Sequence, residues 1–272
     1  MPASPNTITT FPTAYLDAID EVLAGATFAG RYNVQGAEFV QGRQVSVPDI
    51  GFGADPEPVN YDRFQTESPV TIGRTVYTLD HDVQKVFYVD AEEAGDEPAI
   101  AMTKVVSEYE RTIFAPYIDK DFFAKAVAAA GGSSTANPTK TTVLGEIRKA
   151  RSQFNNAGLA GGELYVTSDV LSVLEEAVPR EWSNETSITD AVGSYDGLTV
   201  FEVPAATLGC RMLAISGGTN TIRYITKRAA AYSFAPGQHT QGDGWLNQFR
   251  WVFGTLVHKN QKPGIWVNKA SA

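Results

Sequence analysis

The chain has 272 residues, 43% of them hydrophobic, enough for one large or two modest domains with a real core. No charged-then-apolar leader opens it and no run of about eighteen apolar residues occurs, so it reads as soluble and made in a cytoplasm. Its net charge of −9 is unevenly held: residues 1–100 carry sixteen acidic against five basic side chains (−11), the remaining 172 fifteen against seventeen (+2). An acidic chain disfavours tight nucleic-acid binding, which relies on Lys and Arg displacing counterions from phosphates. Two readings of the imbalance stand: a solvated acidic face, or an acidic first third that docks on the more basic remainder of a neighbouring copy. Cys210 is alone, which excludes an intrachain disulfide framework and a cysteine zinc cluster, and it reads as a small buried hydrophobe.

Residues 1–11 are small, polar and proline-containing and read as an extended arm. Residues 12–24 form a predicted short amphipathic helix with Tyr15, Leu16, Ile19, Val22 and Leu23 along one side. From residue 31 to 89 the period becomes two. Phe39 and then Val45 and Val47 flank Gln41, Gly42 and Arg43, a predicted hairpin. Val70, Ile72, Arg74 and Val76, with Tyr77 and Leu79 on the other phase, give a longer strand, and another over 83–89 follows an expected turn at Asp80, His81 and Asp82. Between them, residues 46–69 hold Pro48, Pro56, Pro58 and Pro69. So long an irregular stretch usually marks a functional or partner-bound loop.

Residues 98–130 carry the one long helical pattern, with Met102, Val105, Val106, Tyr109 and Ile113, then Ile118, Phe122, Phe123, Ala126 and Val127. Pro98 starts it, Gly131 and Gly132 end it, and Pro116 is expected to kink or break it. Helical throughout, it would run roughly 50 Å, long enough for a spine. A linker leads to a helix over 139–157, a strand over 163–167 and a helix from Ser168 through Ala177, an αβα arrangement. After a polar loop over 180–190, strands are predicted over 198–203 and 212–216. Two long strands follow, over 221–234 and 245–258. On the second, Trp245, Phe249, Trp251, Phe253 and Val257 share a face, an apolar wall expected to pack on the spine. A last strand covers 264–268.

No P-loop, GxSxG, HExxH or dinucleotide fingerprint is present. His81 between two aspartates is the nearest thing to a metal or acid-base cluster, and it reads first as part of an acidic turn. No catalytic residue, metal or cofactor is expected.

The order of elements, with the residues that fill it, resembles a major capsid protein of a tailed bacteriophage with the Hong Kong ninety-seven-type fold. The resemblance is most specific in APYIDKDFFA, Ala115 to Ala124, similar to the family's spine continuation. The C-terminal phrases KRAAA from Lys227, GWLNQFRWVFG from Gly244 and PGIWVN from Pro263 resemble the family's ending, and VGSYDGLTV from Val192 is a weaker match. The resemblance implies an α+β capsid fold with an N-terminal arm over 1–30 and an extended loop over 31–80. It implies a peripheral domain over 81–135 and 222–272 built on the spine, and an axial domain over 136–221. It implies no enzyme but a shell subunit that self-assembles in pentamers and hexamers around phage DNA without sequence-specific binding. Scaffolding and portal proteins are its expected partners, no membrane is involved, and the virion, assembled in a bacterial cytoplasm, is its expected place.

Intersubunit contacts are then expected at Phe39, Val45, Phe52, Asp55, Glu57, Tyr61, Asp62 and Phe64, with Trp182 facing the capsomer centre and His239 near the three-fold contacts. Some family members weld their shells with a bond between a loop lysine and a neighbour's asparagine. This sequence has no lysine before Lys85, so no such crosslink from residues 31–80 is expected. Nor does a long charged helical segment precede the arm, which points to a separate scaffold or one removed. An encapsulin-type compartment, sharing the fold but enclosing a cargo enzyme, is the alternative, and an enzyme with a site in the αβα region a third reading.

Overall fold

The computed structural model describes residues 9–10, 27–34, 39–52, 70–90, 109–178, 193–238 and 242–269. Its spine is α1 (Ala115–Ala129), entered through a π-helical turn over Glu110–Phe114. Pro116 explains that turn. Its ring has no N–H to donate and would collide with the carbonyl four residues back, and widening to the five-residue spacing seen from Ala115 N–H to Glu110 O relieves the clash. The expected break at proline is therefore a local widening in a continuing helix; residues 98–108 lie outside the described part. Neither Gly131 nor Gly132 has the left-handed backbone expected of a helix stop. Gly131 is required instead by close approach, since a Cβ there would sit 2.5 Å from the Lys262 carbonyl oxygen.

One face of the spine buries Phe114, Ile118, Phe122, Phe123 and Ala126. Against it lies a four-stranded sheet of order β1-β11-β12-β5, from β1 (Thr9–Thr10), β5 (His81–Asp90), β11 (Ile222–Phe234) and β12 (Gly244–Val257). The apolar wall on β12 packs where its alternation places it. Trp251 meets Phe114 at 4.3 Å between ring centroids and stacks on Phe249 at 5.5 Å.

The second sheet has order β6-β13-β10-β7-β9-β8. It comprises β6 (Gly132–Ser134), β7 (Gly162–Val166), β8 (Gly193–Tyr195), β9 (Leu198–Glu202), β10 (Met212–Ile215) and β13 (Ile265–Asn268). Every residue of β10 and β13 is buried; β10 is an unbroken apolar run, and β13 is apolar up to the buried Asn268. Leu164, Val166, Met212, Ala214 and Trp266 face helices α2 (Val143–Asn156) and α3 (Ser168–Ala177), which contribute Val143, Ile147, Ala150, Phe154 and Leu174. Tyr165, Leu213, Ile215, Ile265 and Val267 face the spine. A short helix α4 (Ala205–Leu208) crosses back to the spine. The C-terminal strand β13 thus hydrogen-bonds to β10 and β6 and not to its neighbours in sequence.

The third sheet is a ribbon of order β2-β3-β4, from β2 (Phe39–Gln41), β3 (Gln44–Phe52) and β4 (Val70–Thr78). The predicted hairpin is present, with Gly42 at φ 55° at its turn. Two expectations are corrected. β3 continues through Pro48 to Phe52, paired residue for residue with β4, so 46–52 are strand and not irregular. Among the described residues β2 reaches only Val45 on the partner strand, leaving Pro48 beside an edge with no paired strand there, where a missing N–H is tolerated. His81 and Asp82 are not a turn but begin β5, because their backbones pair with Phe253 and Val252 of β12. β4 and β5, adjacent in sequence, therefore belong to different sheets.

Candidate assembly surface

The ribbon meets the body at a small core of Val45, Leu79, Ile225 and Val252, with Phe39 packed against it. The Leu79 N–H donates to the Arg43 carbonyl at 2.9 Å. A β-bulge at Lys227, between Thr226 and Arg228, turns that side chain toward the ribbon. Its ammonium reaches the Gly42 carbonyl and lies 4.9 Å from the centre of the Phe39 ring. A charge-assisted hydrogen bond, a cation–π contact and an apolar plug hold the root.

Beyond the root the two phases of β4 diverge. Tyr77 is half-buried and Leu79 beyond it is 2% exposed, while Val70, Ile72 and Val76 on the other phase are 56%, 74% and 52% exposed. Arg74 shares their face and is exposed. Three β-branched apolar side chains over roughly 20 Å of strand therefore face solvent, a patch without a partner among the described residues. Val86 and Tyr88 on β5, and Ile113 and Tyr117 on the spine, are further exposed apolar positions.

The N-terminal approach is fastened at the other end. Asp119, buried on α1, accepts the Ala29 N–H at 2.9 Å and so holds the 3-10 turn Ala29–Tyr32 on the spine. Burial raises its pKa to about 6 against the pull of the backbone N–H groups of Ala29 and Phe28. Tyr32 and Tyr165 both donate to one oxygen of Glu163 on β7, the second at 2.5 Å, while Arg31 bonds the other oxygen at 2.9 Å. Burial, then the Glu163 charge, keeps the Tyr32 phenol protonated. Glu110, in the π-helical turn, is buried with Oε1 unpartnered among the described residues, and burial raises its pKa to about 7.

Of the expected contact residues, Val45 is 5% exposed and packs in the ribbon's own root. Phe39 is half-buried there, and Phe52 pairs with Val70 at the far end of β3. Asp55, Glu57, Tyr61, Asp62, Phe64, Trp182 and His239 lie outside the described residues. The stripe at Val70, Ile72 and Val76 was missed, although its signal was in the sequence: it is the phase opposite Tyr77 and Leu79. His81 belongs to a packed cluster, with Nε2 at 2.9 Å from Asp121 Oδ1, Nδ1 at 3.1 Å from the Tyr117 hydroxyl, and its ring stacked on Phe253 at 4.8 Å. Among the described residues no group of three potential ligands could hold a metal ion, and no helix is long and apolar enough to cross a membrane.

The charge imbalance is partly consumed within the chain. Asp82 takes a two-pronged contact from Arg250 at 2.9 and 2.7 Å, and Asp80 pairs with Lys125.

No family model matches the sequence, and no curated protein matches it. Solved structures do match. The mature capsid of bacteriophage PhiM1 superposes with a TM-score of 0.65 at 10% identity, over 90% of this chain and 87% of that one. The chain has the Hong Kong ninety-seven-type capsid fold. A structure from Mycobacterium phage Che8 matches 98% of this chain and 94% of its own at a TM-score of 0.61 and 14% identity. The virus-like particle from Pyrococcus furiosus matches 94% and 96% at 0.59 and 12%. This capsid fold accounts for the spine, the two body sheets and the projecting ribbon as one architecture, and at these identities the likeness is one of fold.

Proposed function

We propose that the protein is a major capsid protein whose copies assemble, as pentamers and hexamers, into the icosahedral head shell of a tailed phage. The role is structural rather than catalytic. The observation that carries this reading is the solvent-facing stripe of Val70, Ile72 and Val76 on a ribbon within a capsid fold. Exposed apolar side chains on a projecting strand are stabilised by burial against another chain, about 1.5–3 kcal/mol for each fully covered aliphatic side chain. Repetition of modest contacts around a closed shell makes the total large. In this reading residues 1–30 are the arm, 31–80 the extended loop, 81–135 with 222–272 the peripheral domain, and 136–221 the axial domain. Scaffolding and portal proteins are partners, and the DNA inside is enclosed without sequence-specific contact.

Sedimentation of the purified protein, alone and with its scaffold, tests the reading. Fast-sedimenting particles from the wild type, and slow subunits from Ile72→Asp under the same conditions, are expected. Equal particle yield from both would remove the stripe from assembly.

A further inference from the structure

A cavity of about 450 Å³ lies between the ribbon and the body, and its walls come from both. Val47, Thr75 and Tyr77 line it from the ribbon, and Arg223, His258 and Lys259 from the body. No carboxylate lines it, and neither Arg223 nor Lys259 is paired with one among the described residues. Arg223 is held in place by its own Nε, which donates to the Thr219 carbonyl at 2.8 Å, so its orientation is fixed before any ligand arrives. His258 Nε2 is buried without a hydrogen-bond partner among the described residues. One cation held in place, Arg223, and one exposed cation, Lys259, line with His258, Thr75 and Tyr77 a cleft of small-ligand size.

We propose that this cleft binds a small phosphate-class anion, which bridges Arg223, His258 and Lys259 and braces the ribbon against the body. The proposal stands apart from the assembly reading, because it concerns the single subunit. A planar guanidinium and an ammonium together suit a compact multivalent oxyanion. Burial, and next the charge of Arg223, holds His258 below the ordinary histidine pKa, so it is neutral in the empty cleft at pH 7. The groups facing it are Arg223, Lys259 and Tyr77, with no acid among them. An anion reverses the local balance, the imidazole takes up a proton, and binding strengthens as pH falls from 7 to 5.5.

The test is thermal unfolding of the unassembled full chain in rising inorganic phosphate, with ionic strength held constant by sodium chloride. A rise in melting temperature of about 2 °C or more is expected near saturation, with reduced hydrogen exchange in residues 44–52 and 70–78. Arg223→Gln and, independently, the exposed Lys259→Gln should each weaken the apparent affinity about tenfold. Sulfate, whose charge is constant over the range, should bind more tightly at pH 5.5 than at 7, and His258→Gln should flatten that difference. A short single-stranded oligonucleotide distinguishes free anion from nucleic-acid phosphate. Stabilisation by the oligonucleotide but not by phosphate would overturn the small-anion assignment. No phosphate response, or one that both Arg223→Gln and Lys259→Gln leave intact, would overturn the site.

Discussion

Gly254 lies directly beneath Leu79: a Cβ built on the glycine would come within 3.0 Å of the Leu79 Cα and of its Cδ2. The backbone of β12 is thus the floor on which the ribbon's buried anchor rests, and neither atom can retreat easily. Gly254→Ala should destabilise the protein by about 1–3 kcal/mol through overpacking. Denaturant unfolding gives the magnitude, and limited proteolysis should show faster cleavage between residues 39 and 80. An unchanged midpoint and cleavage pattern would mean that the ribbon is anchored elsewhere.

The exposed face of β4 makes the opposite prediction. Ile72→Asp and Val76→Asp should shift subunit stability by no more than about 0.5 kcal/mol, because these side chains are 74% and 52% exposed in the subunit. Circular dichroism melts of the unassembled subunit check this. A loss of several kcal/mol would place the stripe inside the subunit's own core.

Buried acids on the spine give a pH dependence of defined sign. Folding raises Glu110 from 4.5 to about 7 and Asp119 from 3.8 to about 6, so the folded chain binds these protons more tightly than the unfolded chain. Their contribution is most favourable below about pH 4 and is lost as pH rises toward 7. Glu110→Gln should stabilise the protein at pH 8 by about 1–3 kcal/mol relative to wild type and show little difference at pH 4.5. A constant difference across pH would show that Glu110 does not titrate in this window.

Cys210 is buried and its pKa is pushed up to about 12 by burial, despite the nearby Lys269 charge. It should resist a thiol reagent at pH 8 in the folded protein and react completely in denaturant. Rapid reaction of the folded chain would reveal opening of the body next to α4.

Much of the fold was legible because burial leaves a period. The wall at Phe249, Trp251 and Phe253 and the face of α2 at Val143, Ile147, Ala150 and Phe154 follow from spacing alone. Pro116 announced an irregularity but not its kind, since a kink and a π-helical turn relieve the same clash. What spacing cannot show is long-range pairing. Pro48 argued against a strand, yet β4 supplies a partner on one side and no described strand pairs with it on the other. Asp80, His81 and Asp82 have turn composition, but β12 recruits the backbones of His81 and Asp82. The Asp119 to Ala29 hydrogen bond joins residues 90 apart in sequence, so neither end carries a local mark. The exposed stripe was visible as one phase of a strand, and only the position of Leu79 in the ribbon root decides that this phase faces outward.

Negative-stain microscopy of the protein, expressed alone and again with its scaffold, tests the capsid reading most directly. Closed shells of uniform diameter in either preparation are the predicted result. A stable monomer or dimer in both, with the ribbon stripe still accessible to solvent, would contradict it.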